Sequence, residues 1–266
     1  MLLIDAWHYQ QVAFRVIRLV KVCSVNIEML NVGWLTSPAG IWRRDDPLDR
    51  PIRFPIPAYL IEAGEERILI DTGLHPGLAK SPGDHYGVPD ALAMFNVELE
   101  ASIAEQVDLD TITKVVLTHL HFDHASALSL LPDSVPVILQ RREWEAAHDP
   151  KAIERNFYMP ADYAPVADRV VLVEGDHDLL GDGSVRLLST PGHTPGHQSV
   201  MVEERVVIGG DVSHFATGFD DHRFPMFADD FDDQTASAER LRALRDGGII
   251  VRPGHDPEVL VPGPVG

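Results

Sequence analysis

The sequence predicts an α/β protein in which two sheets pack face to face with helices outside. Short apolar, strand-like runs fall into two groups, separated and followed by segments with helical spacing. The residues with metal-ligating side chains each sit on a turn directly after such a run, which places them together at one edge, where ligand crevices form at the carboxyl ends of strands. At 266 residues the chain can bury a substantial core. One domain over 1–266 is expected, with 1–17 as an N-terminal extension and 257–266 as a tail.

Up to about Val16 the chain is of mixed apolar character and suits a short helix, on the surface or against a partner subunit. Arg18 to Ile27 alternates as a first strand, and Glu28 to Pro57, with Trp34, Trp42 and five prolines, reads as a long connection. Ile56 to Ala63 and Arg67 to Asp71 read as strands joined by Gly64-Glu65-Glu66. Asp71 is either a turn residue bonding backbone or a support behind a metal site. His75 to Asn96 reads as loop, and Asn96 as the cap of a helix through Val97, Leu99, Ile103, Ala104 and Val107. Lys114 to Leu117 is a buried strand, and Ala125 to Leu128 starts a helix. Val135 to Gln140 is strand and Arg141 to Ala147 helix, while Asp149 to Pro165 has no definite reading. Arg169 to Glu174, Ser184 to Ser189, Gln198 to Glu203 and Arg205 to Ile208 are strands. Ala236 to Leu244 is a helix ended by Gly247-Gly248, Ile249 to Val251 the last strand, and the residues from Pro257 a frayed tail.

The chemistry concentrates in Thr118-His119-Leu120-His121-Phe122-Asp123-His124, three imidazoles and a carboxylate in one short turn. His119 and His121, two residues apart, can reach one ion only from non-helical backbone, and Asp123 and His124 are then displaced enough to serve a second. Further ligand-type residues follow apolar runs downstream: His193 in Thr190-Pro191-Gly192-His193, Asp211 after Gly209-Gly210, and His255 in Pro253-Gly254-His255. The single Cys23 excludes an internal disulfide and a Cys-based zinc site, leaving His and carboxylate as the donor set; it reads as a buried small apolar residue. His8, His75, His85, His148, His177 and His222 have no ligand-type surroundings and are assigned to surface or loop.

The formal charge of −19 argues against a nucleic-acid partner, which needs a basic patch, and against docking on an anionic membrane. Met1 to Trp7 lacks the basic region and apolar core of a signal peptide, so a cytoplasmic location is expected.

These motifs, together with Ile68-Leu69-Ile70-Asp71-Thr72-Gly73, Gln140-Arg141-Arg142-Glu143-Trp144-Glu145-Ala146-Ala147 and His197-Gln198-Ser199, resemble the metallo-β-lactamase superfamily. The likeness spans about Arg18 to Asp256. Within the superfamily the chain is most similar to N-acyl homoserine lactone lactonases and 4-pyridoxolactonases. The resemblance implies the αβ/βα sandwich of that superfamily, with two mixed sheets face to face and helices outside, and two divalent metal ions per chain. It puts His119, His121 and His193 on one ion, Asp123, His124 and His255 on the other, and Asp211 between them; His197 is read as a residue behind the ligands or one that stabilises the turn, rather than a ligand. The donors suit Zn²⁺, with Mn²⁺, Fe²⁺ and Co²⁺ also compatible. The implied reaction is hydrolysis of a lactone by a hydroxide shared by the ions, Asp123 moving the proton, and N-acyl homoserine lactones (quorum quenching) are the expected substrates. The alternative is another ester or thioester hydrolase resembling glyoxalase II, and from a different class a non-catalytic metal-binding module. Glyoxalase II typically carries an added helical domain, for which the chain after His255 leaves no room. A homodimer is expected, with Leu2 to Val20 covered by the partner or folded back on its own domain.

Two departures stand out. The family reads H-A-G-G where this chain has His124-Ala125-Ser126-Ala127, and it commonly carries a Tyr three residues after the bridging Asp, where this chain has His214. His214 is read as a hydrogen-bond donor to the substrate, an extra metal ligand, or a packed residue. Trp34, Phe122, Phe224, Met226 and Phe227 can form an apolar acyl pocket; the bland reading is ordinary packing.

Overall fold

The computed structural model describes residues 25–266. The N-terminal helix, Cys23, His8 and the Leu2 to Val20 stretch expected at a dimer interface lie outside the described residues. Among the described residues thirteen strands form two sheets: β1 (Asn26–Pro38), β2 (Pro51–Ala63), β3 (Glu66–Ile70), β4 (Asn96–Glu98), β5 (Lys114–Val116), β6 (Val137–Gln140), β7 (Val170–Val173), β8 (His177–Asp178), β9 (Val185–Ser189), β10 (Gln198–Val202), β11 (Val206–Ile208), β12 (Ile250–Arg252) and β13 (Gly263–Pro264). One sheet runs β13-β1-β2-β3-β5-β6-β7 with β4 on β1, and the other runs β12-β11-β10-β9-β8.

Alternation along the strands builds the layers. Ile68, Ile70, Val116 and Ile138 face inward and meet Val185, Leu187, Val200, Val202, Val206 and Ile208 of the second sheet. Their neighbours Leu69, Val115, Val137 and Leu139 face outward into a helix-covered core. On the far side, Met201 and Val207 pack under Ala238 and Leu241 of helix Phe231–Asp246. This is the αβ/βα sandwich. β3, β5, β6 and β7 pair in parallel, so the turns leaving β3, β5 and β6 gather at one edge.

Three expectations are corrected. Glu28 to Pro57 is not a long connection: it holds most of β1 and the first half of β2, two strands of 13 residues paired antiparallel. Pro51, Pro55 and Pro57 are all odd-numbered, so their missing N–H groups share one edge of β2, and β3 pairs only with Tyr59 to Ala63. A register shift between Asn31 and Trp34, with Gly33 at φ +141°, marks a bulge in β1. Asn96 does not cap a helix. Asn96–Glu98 pairs with Thr36, Leu35 and Trp34, and the helix is the short Ile103–Gln106, opened by a capping box between Ser102 and Glu105.

The third concerns the end of the chain. The segment after Pro257 returns to the sheet as β13, with Leu260 and Val265 buried in the core between the sheets. Deleting residues 260–266 is expected to cost on the order of 3–6 kcal/mol, the burial of two aliphatic side chains; a truncated protein with the full chain's denaturation midpoint would show that the segment contributes nothing.

Helix Pro160–Tyr163 buries Asp162, which accepts from the Tyr86 hydroxyl at 3.1 Å. Burial pushes this carboxyl up to about 8, with the Tyr86 bond opposing and Asp123 adding to it. A folded-state pKa above the unfolded one means that stability is full below about pH 4 and is lost as pH rises through about 8. Asp162→Asn should therefore melt higher than the parent at pH 9 and show no such gain at pH 4. Parallel melting curves across that range would contradict the assignment. Among the described residues no helix is long and apolar enough to cross a membrane.

Candidate metal centre

β5 ends at Val116, and the chain passes through a bend at Thr118 and a non-helical stretch to His121 before helix Phe122–Ala125 begins; His121 is its N-cap at φ −70°, ψ 154°. The non-helical stretch lets His119 and His121 converge, while Asp123 and His124 are carried by the helix. Three further turns complete the cluster, bringing His193 after β9, Asp211 after β11 and His255 after β12. The ligand atoms of His119, His121, His193 and Asp211 all lie within 4.8 Å of one another, and so do those of Asp123, His124 and His255. Asp211 joins the two groups, with Oδ2 3.4 Å from His193 Nε2 and 3.5 Å from His124 Nε2. His255 Nε2 is 3.1 Å from Asp211 Oδ1 and 3.5 Å from Asp123 Oδ2. All of these side chains are buried.

The hydrogen bonds behind the cluster fix which ring nitrogens carry protons. Thr118 Oγ1 donates to Asp71 Oδ2 and so accepts from His119 Nδ1, leaving His119 Nε2 as a lone pair. His121 Nε2 donates to the Asn156 carbonyl at 2.7 Å, leaving Nδ1 bare. Those two lone pairs face each other at 3.0 Å, and His193 Nε2 lies 3.0 Å from the same His121 nitrogen. Protons alone do not satisfy this arrangement; a cation among the three nitrogens does. On the other side His124 Nδ1 donates to Asp71 and His255 Nδ1 to the Pro55 carbonyl, so both Nε2 atoms point at carboxylate oxygens. Asp211 Oδ1, His124 Nε2 and His193 Nδ1 are buried without a hydrogen-bond partner among the described residues. The donor set thus fits two divalent ions.

Asp71 fulfils the supporting reading. It sits at φ +57°, a conformation Asp tolerates, and its carboxylate also accepts from the Thr118 N–H at 2.7 Å. His197 supports from the opposite side: its Nε2 accepts from the Asp211 N–H at 2.9 Å and its Nδ1 faces the Thr190 carbonyl. His214 lies deeper in the cluster than a surface turn residue would. Its Nε2 is 3.2 Å from Asp211 Oδ2, neither ring nitrogen has a hydrogen-bond partner among the described residues, and it forms a third group with Asp211 and His255.

The electrostatics divide the histidines. Burial holds His121 down at about 4 and His197 at about 3. Burial also keeps His119 and His193 well below the usual range and lowers His214 against the pull of Asp211. For His124 and His255 burial again acts downward but is outweighed by carboxylates, Asp211 and Asp123 foremost, so both are raised. These two feel the strongest demand for positive charge, which a metal ion would meet. For Asp211, burial acts upward and is overcome by His214, His255 and His124, which hold it well below the usual carboxylate range.

The sequence profile described as the Metallo-beta-lactamase superfamily matches residues 51–255, from the start of β2 to the last cluster histidine. The chain belongs to the metallo-β-lactamase superfamily. It is 30% identical over 219 residues to the N-acyl homoserine lactonase AttM of Azorhizobium caulinodans, covering 77% of this chain and 82% of that protein. To the N-acyl homoserine lactonase of Bacillus thuringiensis it is 31% identical over 218 residues, 78% and 83% of the two chains. A solved N-acyl homoserine lactone hydrolase, with the product N-hexanoyl-L-homoserine at its catalytic metal centre, superposes with a TM-score of 0.75 at 26% identity, covering 88% of this chain and 94% of that one. The cluster is accordingly the dinuclear metal-binding centre of a metal-dependent hydrolase of this superfamily.

The aromatic surroundings of the superfamily centre differ from the expected set. Phe227 lies over the histidines, its ring 6.0 Å from His193 and 6.4 Å from His121, and Phe122 packs on Phe95 at 5.5 Å. Trp34 is not brought to the centre. It stands in β1 opposite Pro55 and Glu98, with the Arg53 guanidinium 3.9 Å above its ring. Phe224 is packed with Val212 and Phe219 beneath helix Phe231–Asp246, the ordinary-packing reading. Met226 is 59% exposed and anchors by its N–H to the Ile41 carbonyl. Sequence reasoning missed Trp42, whose ring is 5.0 Å from His214 and 5.7 Å from Phe227, and with it Phe95 and Phe157. The signal available was the Ala39-Gly40-Ile41-Trp42 run, which forms a short helix directly after β1.

Proposed function

We propose that the chain opens lactone rings, with N-acyl homoserine lactones as its substrates. The observation that carries this is the buried seven-residue cluster joined by Asp211, set beside an apolar aromatic wall. The relatives named for that activity add support.

In this reading His119, His121 and His193 hold one ion, Asp123, His124 and His255 the other, and Asp211 reaches both. Bound divalent ions, zinc by preference given the imidazole and carboxylate donors, supply Lewis acidity and nucleophilic water at neutral pH. The chain's own groups do the rest. Water adds to the lactone carbonyl carbon, the ring C–O bond breaks, and the proton lost from water reaches the leaving alkoxide through Asp123, buried at the edge of the second group. His214, with unpartnered ring nitrogens, donates an N–H to the carbonyl oxygen as negative charge develops there. Trp42, Phe122 and Phe227 shield the reacting atoms from water and hold the acyl chain. A wall with so few charged groups favours an uncharged amphiphile over a nucleotide.

A pH-stat panel of lactones, thioesters and β-lactams with the metal-loaded protein tests the reading. Lactones, acyl homoserine lactones first, should turn over fastest. Thioester turnover far above lactone turnover would replace the proposal with a thioesterase.

A further inference from the structure

Glu143, in the first turn of helix Arg141–Ala146, is fully buried and ties together the segments that carry the three-histidine half of the centre. Its Oε1 accepts from the Leu120 N–H at 3.0 Å and the Tyr158 hydroxyl at 2.9 Å. Its Oε2 accepts from the Thr194 hydroxyl at 2.8 Å and the Gly196 N–H at 2.9 Å. Leu120 lies between His119 and His121, and Thr194 follows His193. Tyr158 is two residues from Asn156, whose carbonyl orients His121. The contact is close enough that a Cβ at Gly196 would collide with the Glu143 backbone. The two backbone N–H groups, one on each oxygen, can only donate, so a carboxylate fits them as no amide can. None of the four bonds reaches Asp123, His124 or His255.

We propose that Glu143 is a positioning residue that sets the spacing of His119, His121 and His193 and so controls the affinity of that half of the centre alone. The inference rests on the two-ion assignment above. Burying a carboxylate is costly unless its lone pairs are filled, and here four donors from three segments fill them, so the carboxylate fixes those segments relative to one another. His124 and His255 of the second half have ring partners of their own, the Asp71 carboxylate and the Pro55 carbonyl, and Glu143 touches neither.

The test is an equilibrium zinc titration of the chelator-stripped full-length protein, with far-UV circular dichroism to confirm the fold. The parent should take two equivalents in separable steps. Glu143→Gln keeps the shape but turns an NH2 toward two of the donors, and it should weaken one step by about 10- to 100-fold while leaving the other unchanged. The affected step should be the one that His193→Ala abolishes. Tyr158→Phe and Thr194→Val each remove one bond and should weaken the same step by less, which keeps the test decisive if Glu143→Gln does not fold. Equal weakening of both steps, or of neither, would overturn the inference while leaving the two-ion centre standing. A parent protein that takes only one equivalent would overturn the two-ion assignment itself.

Discussion

Asp211→Ala is expected to abolish the dinuclear centre and lower kcat/KM by more than the roughly 10²- to 10³-fold that follows loss of a single transition-state donor. Among the described residues its carboxylate is the one that lies within 4 Å of ring nitrogens of His119, His124, His193, His214 and His255. Removing it takes a shared negative charge from a buried set of imidazoles and leaves lone pairs facing one another across a gap. Metal content measured after dialysis should fall below two per chain, with the fold retained because the backbone of Asp211 is still fixed by His197 and Gln234. A variant that keeps two ions and most of its activity would refute the bridging role.

His214→Ala should have the next largest effect and a different signature. If the imidazole donates to the developing oxyanion, two ions remain bound and kcat falls by about 10²- to 10³-fold, or about 2.7–4 kcal/mol. The pocket around it is aromatic, with Trp42 5.0 Å and His255 5.1 Å between ring centroids, so the ring is held in place and water is a poor substitute. His214→Tyr places a hydroxyl donor in the same direction and should keep appreciable turnover. Loss of an ion in His214→Ala would make the residue a ligand, and unchanged kcat with unchanged metal content would make it packing.

The centre was legible because its chemistry is local. Thr118 to His124 carries four donors in seven residues, and each remaining donor follows an apolar run on a turn. The sandwich was legible for a similar reason: Ile68-Leu69-Ile70 and Val115-Val116 present alternate residues to the two cores. The β1–β2 hairpin was not, because Gly33 and the prolines of β2 are loop signals read singly. Only pairing shows that one sits at a bulge and the others lie along an edge. Trp34 and Trp42 stand eight residues apart on one segment, and sequence reasoning puts only Trp34 in the pocket. What separates them is the element each sits on: Trp34 lies in β1 under Arg53, and Trp42 in the following helix with its ring beside His214. Glu143 is the same kind of case. Its segment was legible as a helix and as part of the family likeness, but its role was not, because its four partners come from segments up to 53 residues away.

We propose that two ions held by His and Asp side chains make this chain a lactone hydrolase. Titrating chelator-stripped protein with zinc while following hydrolysis of an N-acyl homoserine lactone tests it most directly. Turnover should be negligible without metal and should rise to a plateau that breaks at two equivalents per chain. A break at one equivalent, or turnover that survives removal of the metal, would contradict it.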